Sequence, residues 1–314
     1  MVKVLIALCS FMAGGLLVFG YYSLQPDDIE RCWTVYPLTN HDLACDEYAE
    51  ARNRMHTLNA DLAQMSERYK QEGKVENISI WVRDLSTRQW AAYNEHETYA
   101  PASLLKLPLL LAYYKIAELD PSILQDRLTY QPNDENDGYI KPSHTLTPGT
   151  EYSVEELLQQ MIRSSDNNPI RSLAEHISPQ IINNTLTDLG LQITNSSDTF
   201  QFVTAKTYAN VFRILHNASY LDRDYSEKAL DLLTTVEYRG MSKPLPPTVR
   251  VAHKFGEREL INNEGVVSGV QLHDCGVVYK KSSPFSLCVM TQGKDFMTLS
   301  TVIEEVSKAV YDAF

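Results

Sequence analysis

Ala100-Pro101-Ala102-Ser103-Leu104-Leu105-Lys106 opens an apolar run, and it contains the one Ser-x-x-Lys of the chain. The run predicts a helix over Ser103 to Leu119, on which a residue three positions on shares a face, so the Lys106 amine reaches the Ser103 hydroxyl. A serine is also an ordinary helix cap and a lysine stem an ordinary cover for apolar surface, so the pair alone leaves both readings open. Pro108 inside the same run implies an irregular first turn. Two further signatures follow in order. Ser165-Asp166-Asn167 falls in a loop after the amphipathic run Val154, Leu157, Leu158, Met161 and before Asn168-Pro169, which reads as a cap and first-turn proline. His253-Lys254-Phe255-Gly256 lies on a predicted strand, where a lone lysine also serves as edge protection.

Around these signatures the hydrophobic period changes twice. Asn77 to Val82 alternates through Ile78, Ile80 and Val82, and Gln89 to Tyr93 follows a polar turn, predicting two antiparallel strands. Helical spacing then holds over Ser153 to Arg163, Pro169 to Ile177, Thr204 to Leu215 and Ser226 to Leu233. Strands return over Arg250 to Phe255, Val266 to Leu272, Gly276 to Tyr279 and Phe285 to Met290, before a closing amphipathic helix, Leu299 to Ala313. Strands at both ends of an inner helical block predict an α/β (α+β) fold. Its mixed, mostly antiparallel sheet is formed by the N- and C-terminal strands, with an inserted all-helical subdomain.

The net charge of −12, with no Lys/Arg-rich run, excludes a phosphate-backbone partner, which needs clustered cations. Val4 to Leu24 is an apolar stretch long enough to cross a bilayer, with Tyr21-Tyr22 at its end. We read it as an uncleaved, single-pass anchor. A cleaved signal peptide is the rival, since Lys3 and Ala13-Gly14-Gly15 supply its charged and small-residue features. Lys3 before the span and Asp27, Asp28 and Glu30 after it place the N-terminus in the cytoplasm and the remainder outside. The expected organisation is an anchor over 1–24, an extracytoplasmic linker and helical stalk over 25–74, and a folded domain over 75–314. In the stalk, residues 42–72 carry Tyr48, Met55, Leu62 and Tyr69 seven apart, which packs on its own domain or forms a homodimer seam. In an oxidising compartment Cys32 with Cys45, and Cys275 with Cys288, are candidate disulfides, with buried free thiols as the alternative. The cysteine and histidine spacings match no metal site.

The three ordered signatures, with His273-Asp274-Cys275-Gly276-Val277-Val278-Tyr279 near the end, resemble the class A beta-lactamase-like serine hydrolases over about residues 75–314. The resemblance implies Ser103 as nucleophile, Lys106 as its base, Ser165 as proton relay and Lys254 as the cation that favours anionic substrate groups. It implies Asn167 as a substrate-holding amide and Gly256 as the point of close approach, with the backbone N–H groups of Ser103 and Glu257 as the oxyanion hole. It implies no cofactor. The substrate would be a beta-lactam or a related amide or ester. The alternatives are a D,D-carboxypeptidase or transpeptidase-like enzyme acting on peptidoglycan-like peptides, or a catalytically weak binding or sensor module. Two departures bear on this. Phe255 stands where the family has a hydroxyl that meets the substrate carboxylate, leaving Arg258 as the guanidinium that could replace it. Leu191 to Phe202 contains no glutamate to activate a deacylating water, and Asp198 is its only carboxylate.

Overall fold

The computed structural model describes residue 38 and residues 45–131, 138–191, 203–262, 264–281 and 283–314. The chain divides into two compact units, Met1–Asn53 and Arg54–Phe314. Residues 4–24 and Cys32 lie outside the described residues, and no described helix is long and apolar enough to cross a membrane.

The elements run α1 (Cys45–Gln71), β1 (Asn77–Asp84), β2 (Trp90–Tyr93), α2 (Lys106–Ala117), β3 (Arg127–Thr129) and β4 (Glu151–Ser153). They continue with α3 (Val154–Arg163), α4 (Asn168–His176), α5 (Pro179–Asp188), α6 (Ala205–His216) and α7 (Arg223–Leu233). The last four are β5 (Arg250–Ile261), β6 (Val267–Tyr279), β7 (Phe285–Gly293) and α8 (Phe296–Ala313). Five strands pair antiparallel in the order β2-β1-β7-β6-β5, so the first strands do join the last ones. Strand alternation separates two cores. Ile78, Ile80, Val82, Leu287 and Val289 face one side with Val302, Ile303 and Val306 of α8, while Trp81, Val277, Cys288 and Met290 join the helices α2 to α7 on the other.

From Met55 onward the heptad face of α1 is spent on this domain. Met55, Leu58, Leu62 and Tyr69 are buried in the α8-side core, and Arg54 pairs with the buried Asp84 at 2.6 Å. From Arg54 to Gln71 this helix is therefore part of the same compact unit as the sheet.

Two strand boundaries and two elements differ from the sequence reading. The polar residues His273 and Asp274 split one expected strand into two, yet β6 is continuous because Asp274 is buried against His253 at 2.8 Å and His273 is bonded on both ring nitrogens. β5 continues past Gly256 to Ile261 instead of ending at Phe255. Helix α5 and the small β3–β4 ladder were not anticipated. Cys275 and Cys288 face each other across β6 and β7 and are joined as a disulfide, which settles that pair against free thiols.

Candidate active site

The expected helix at Ser103 begins as a 3-10 turn, Ala102–Leu105, and becomes α-helical at Lys106. Pro108 then falls in the first turn of α2, where its missing N–H costs nothing, so the irregularity sits before the proline rather than at a kink. Ala102 holds a left-handed φ of +47°, a conformation that disfavours residues with a Cβ. Backbone anchors hold it there. Ala100 N–H donates to Gln271 Oε1 at 3.2 Å, and Ala100 C=O lies 3.1 Å from His273 Nε2. Because Thr291 N–H donates to His273 Nδ1 at 3.3 Å, Nε2 carries the proton and donates to Ala100. Burial pushes His273 down to about 4, which keeps this tautomer neutral.

Ser103 Oγ is not a helix cap; it accepts a hydrogen bond from Lys106 Nζ at 2.8 Å. Lys106 Nζ also donates to Ser165 Oγ at 3.0 Å and to the Ser165 carbonyl. Lys254 Nζ reaches the same hydroxyl at 2.8 Å. A continuous chain of polar contacts thus runs from Ser103 through Lys106 and Ser165 to Lys254. Both ammonium groups lie inside the protein, and burial is the main cause of their altered basicity. It pushes Lys106 down to about 7, against the pull of the Asp166 and Glu257 carboxylates. Lys254 is held well below the usual lysine range by burial and then by repulsion from Lys106.

Ser165 itself is left-handed, with φ +57°. Its loop is fixed by the neighbouring Asp166. Asp166, fully buried, accepts the first N–H of α4 from Asn168 at 2.9 Å, and Tyr130 Oη and Gln160 Nε2 each donate to its other oxygen at 3.3 Å. Capping and presentation of Ser165 are therefore one arrangement.

β5 approaches the nucleophile turn so closely that a Cβ at Gly256 would stand 2.7 Å from Pro101 O and 3.2 Å from Leu104 N. Ser103, Ser165, Asn167, Glu257 and Arg258 line one cleft of about 260 Å³, closed on the far side by Gly138–Ile140 and by Phe296, whose ring stacks on Tyr139 at 5.1 Å. All eight residues expected from the sequence meet at this cleft or directly behind it. The reading missed Asp166 and Tyr130 as supports, the clamp of Gln271 and His273 on Ala100, and the side chain of Glu257. Only its backbone had been given a role; its carboxylate accepts Ile140 N–H, at 3.0 Å on Oε1 and 3.3 Å on Oε2. β5 carries several other charged residues, so Glu257 did not stand out in the sequence. Residues 192–202, including Asp198, lie outside the described residues. Among the described residues no cluster could hold a metal ion.

Comparison with solved structures returns the same architecture. A PBP-A variant solved as its acyl-enzyme complex with penicillin G is 19% identical, with a TM-score of 0.66 over 80% of this chain and 95% of that one. A beta-lactamase from Sphaerobacter thermophilus is 18% identical, with a TM-score of 0.67 over 80% of this chain and 95% of that one. A reconstructed ancestral class A beta-lactamase is 22% identical, with a TM-score of 0.67 over 82% of this chain and all of that one. No curated protein matches. The model of the beta-lactamase enzyme family matches residues 58–314, taking in α1 from Leu58 together with the whole sheet and helical block. The chain belongs to the beta-lactamase enzyme family.

Proposed function

We propose that the chain is a serine acyl-hydrolase that attacks a beta-lactam or a related amide or ester carbonyl through Ser103. The observation that carries this is the contact chain Ser103–Lys106–Ser165–Lys254, with Lys106 pushed towards neutrality. In acylation the Ser103 Oγ–carbonyl bond forms as Lys106 Nζ takes the hydroxyl proton, and the N–H groups of Ser103 and Glu257 receive the oxyanion. Collapse breaks the carbonyl–leaving-group bond. The proton passes from Lys106 through Ser165 Oγ to the departing nitrogen or oxygen, while Lys254 holds the relay in place and Asn167 orients the substrate. Hydrolysis of the ester then needs a base for water. With no glutamate in Leu191–Phe202, hydrolysis of the acyl-enzyme is expected to be about 10²- to 10⁴-fold slower than with a placed general base. That imbalance favours a D,D-peptidase-like enzyme or a slow amide or ester hydrolase over an efficient beta-lactamase. We place the domain outside the cytoplasm, held by residues 4–24, where wall peptides and beta-lactams are met.

Incubating the full-length chain with a reporter penicillin and following intact mass tests this. A lasting adduct, absent from Ser103→Ala, is the expected result. An adduct that survives in Ser103→Ala, or no adduct with the penicillin or with simple esters, would sink it, and the second outcome would leave a binding module.

A further inference from the structure

Glu257 puts a carboxylate into the cleft beside Ser103, and the structure leaves most of its bonding capacity unused. A carboxylate offers about four lone-pair sites. Among the described residues its hydrogen bonds come from a single donor, Ile140 N–H, and it makes no ion pair within 4.0 Å. The wall is fitted to it, since a Cβ at Gly138 would stand 2.3 Å from Glu257 Oε1. The group is half-buried, so water and salt screen it less than a surface carboxylate; the same burial raises its pKa above the usual carboxylate value, against the Ile140 N–H and the nearby lysines. The residue two places back removes the opposing influence. Phe255 brings no hydrogen-bond donor, and its buried ring packs on Tyr238 at 4.7 Å. The two lysines behind the serine are held towards their neutral forms by burial, so they supply less positive charge to the cleft than their number suggests. Lys141 is a cation close enough to favour the charged Glu257 carboxylate, and Arg258 and Glu259 on the strand line the same cleft.

We propose that Glu257 selects substrate charge, so that the cleft takes acyl donors presenting an ammonium or similar cation near the reacting carbonyl and disfavours those presenting a carboxylate. This rests on acylation at Ser103 and names the substrate class for that same site. It also reverses the preference for anionic groups that the signature lysine implies.

The test uses three thioesters that share one acyl core and differ by an ammonium, a neutral isostere or a carboxylate. Thiol release and intact mass give kcat/KM for acylation of the full-length chain. The ammonium ester should exceed the carboxylate ester by at least about tenfold, the scale of one charge contact near a protein surface. Glu257→Gln should bring that ratio near one, and Glu257→Lys should invert it. The neutral ester is the internal reference, because a folding defect lowers all three rates together while loss of selection changes their ratio. A wild-type ratio near one, a preference for the carboxylate, or a ratio that survives Glu257→Gln overturns the inference while leaving acylation at Ser103 intact. Failure of all three esters to acylate overturns the acyl-enzyme reading and this inference with it.

Discussion

If Lys106 is the base for Ser103, the pH profile of acylation reports its proton directly. Its ammonium, 2.8 Å from Ser103 Oγ, is pushed by burial down to about 7. Only the neutral amine can accept the serine proton, so the rate rises with pH through that value and levels above it. A group titrating at 7 is about 9% neutral at pH 6 and about 91% neutral at pH 8, which makes the expected change about tenfold. The assay is single-turnover acylation by a neutral ester, read by intact mass at a series of pH values with Ser103→Ala as the blank. A neutral substrate keeps the titration of Glu257 out of its binding step. Lys106→Arg keeps a cation that cannot be deprotonated in this range and should lose about 10²- to 10⁴-fold. A rate that is flat or falling between pH 6 and 8, or an Arg variant within a few-fold of wild type, would refute the assignment of Lys106 as base.

Gly256→Ala places a methyl group 2.7 Å from Pro101 O and 3.0 Å from Leu104 Cγ, neither of which is a free end able to swing away. It should displace the nucleophile turn, lowering acylation about 100-fold and stability by about 1–3 kcal/mol; undiminished kcat/KM would show that the turn is not seated on β5. Replacing both Cys275 and Cys288 by alanine opens a covalent loop of sequence separation 13 and should cost about 3 kcal/mol in urea unfolding, so an unchanged midpoint would contradict a stabilising role.

The sheet was legible because its strands carry clean alternation where one face meets each core, as in Ile78, Ile80 and Val82. It became illegible where polar residues are buried in pairs. Asp274 and His273 read as a break in β6 because a sequence does not display the His253 ring or the Ala100 carbonyl that satisfies them. The candidate site side chains were legible for a different reason: Ser103 and Lys106 are three apart, a spacing that brings them together on one turn. Their supports come from distant segments and carry no local signal. Tyr130 reaches Asp166 across 36 residues, and Gln271 reaches Ala100 across 171. The Glu257 carboxylate was missed because a role for a backbone N–H says nothing about where the side chain goes.

Strand alternation also sorts the residues of β5 beside Ser103 by what they touch. On β5, Lys254 and Gly256 fall on the side of the pleat that meets Ser165 and the nucleophile turn. Phe255 and Glu257 fall on the opposite side, towards Tyr238 and the Gly138–Ile140 wall. The Glu257 carboxylate is directed at the Gly138–Ile140 wall, whereas the Phe255 ring centroid lies 4.1 Å from Lys254 Nζ and is tied to the Ser103–Lys106–Ser165–Lys254 chain. Lys254 is fully buried and Gly256 has no room for a side chain, so neither can drift without disturbing the relay or the nucleophile turn. In this stretch Lys254, Phe255 and Gly256 are tied to the contact chain or to the Ser103 turn, and Glu257 is the residue whose side chain lines the cleft.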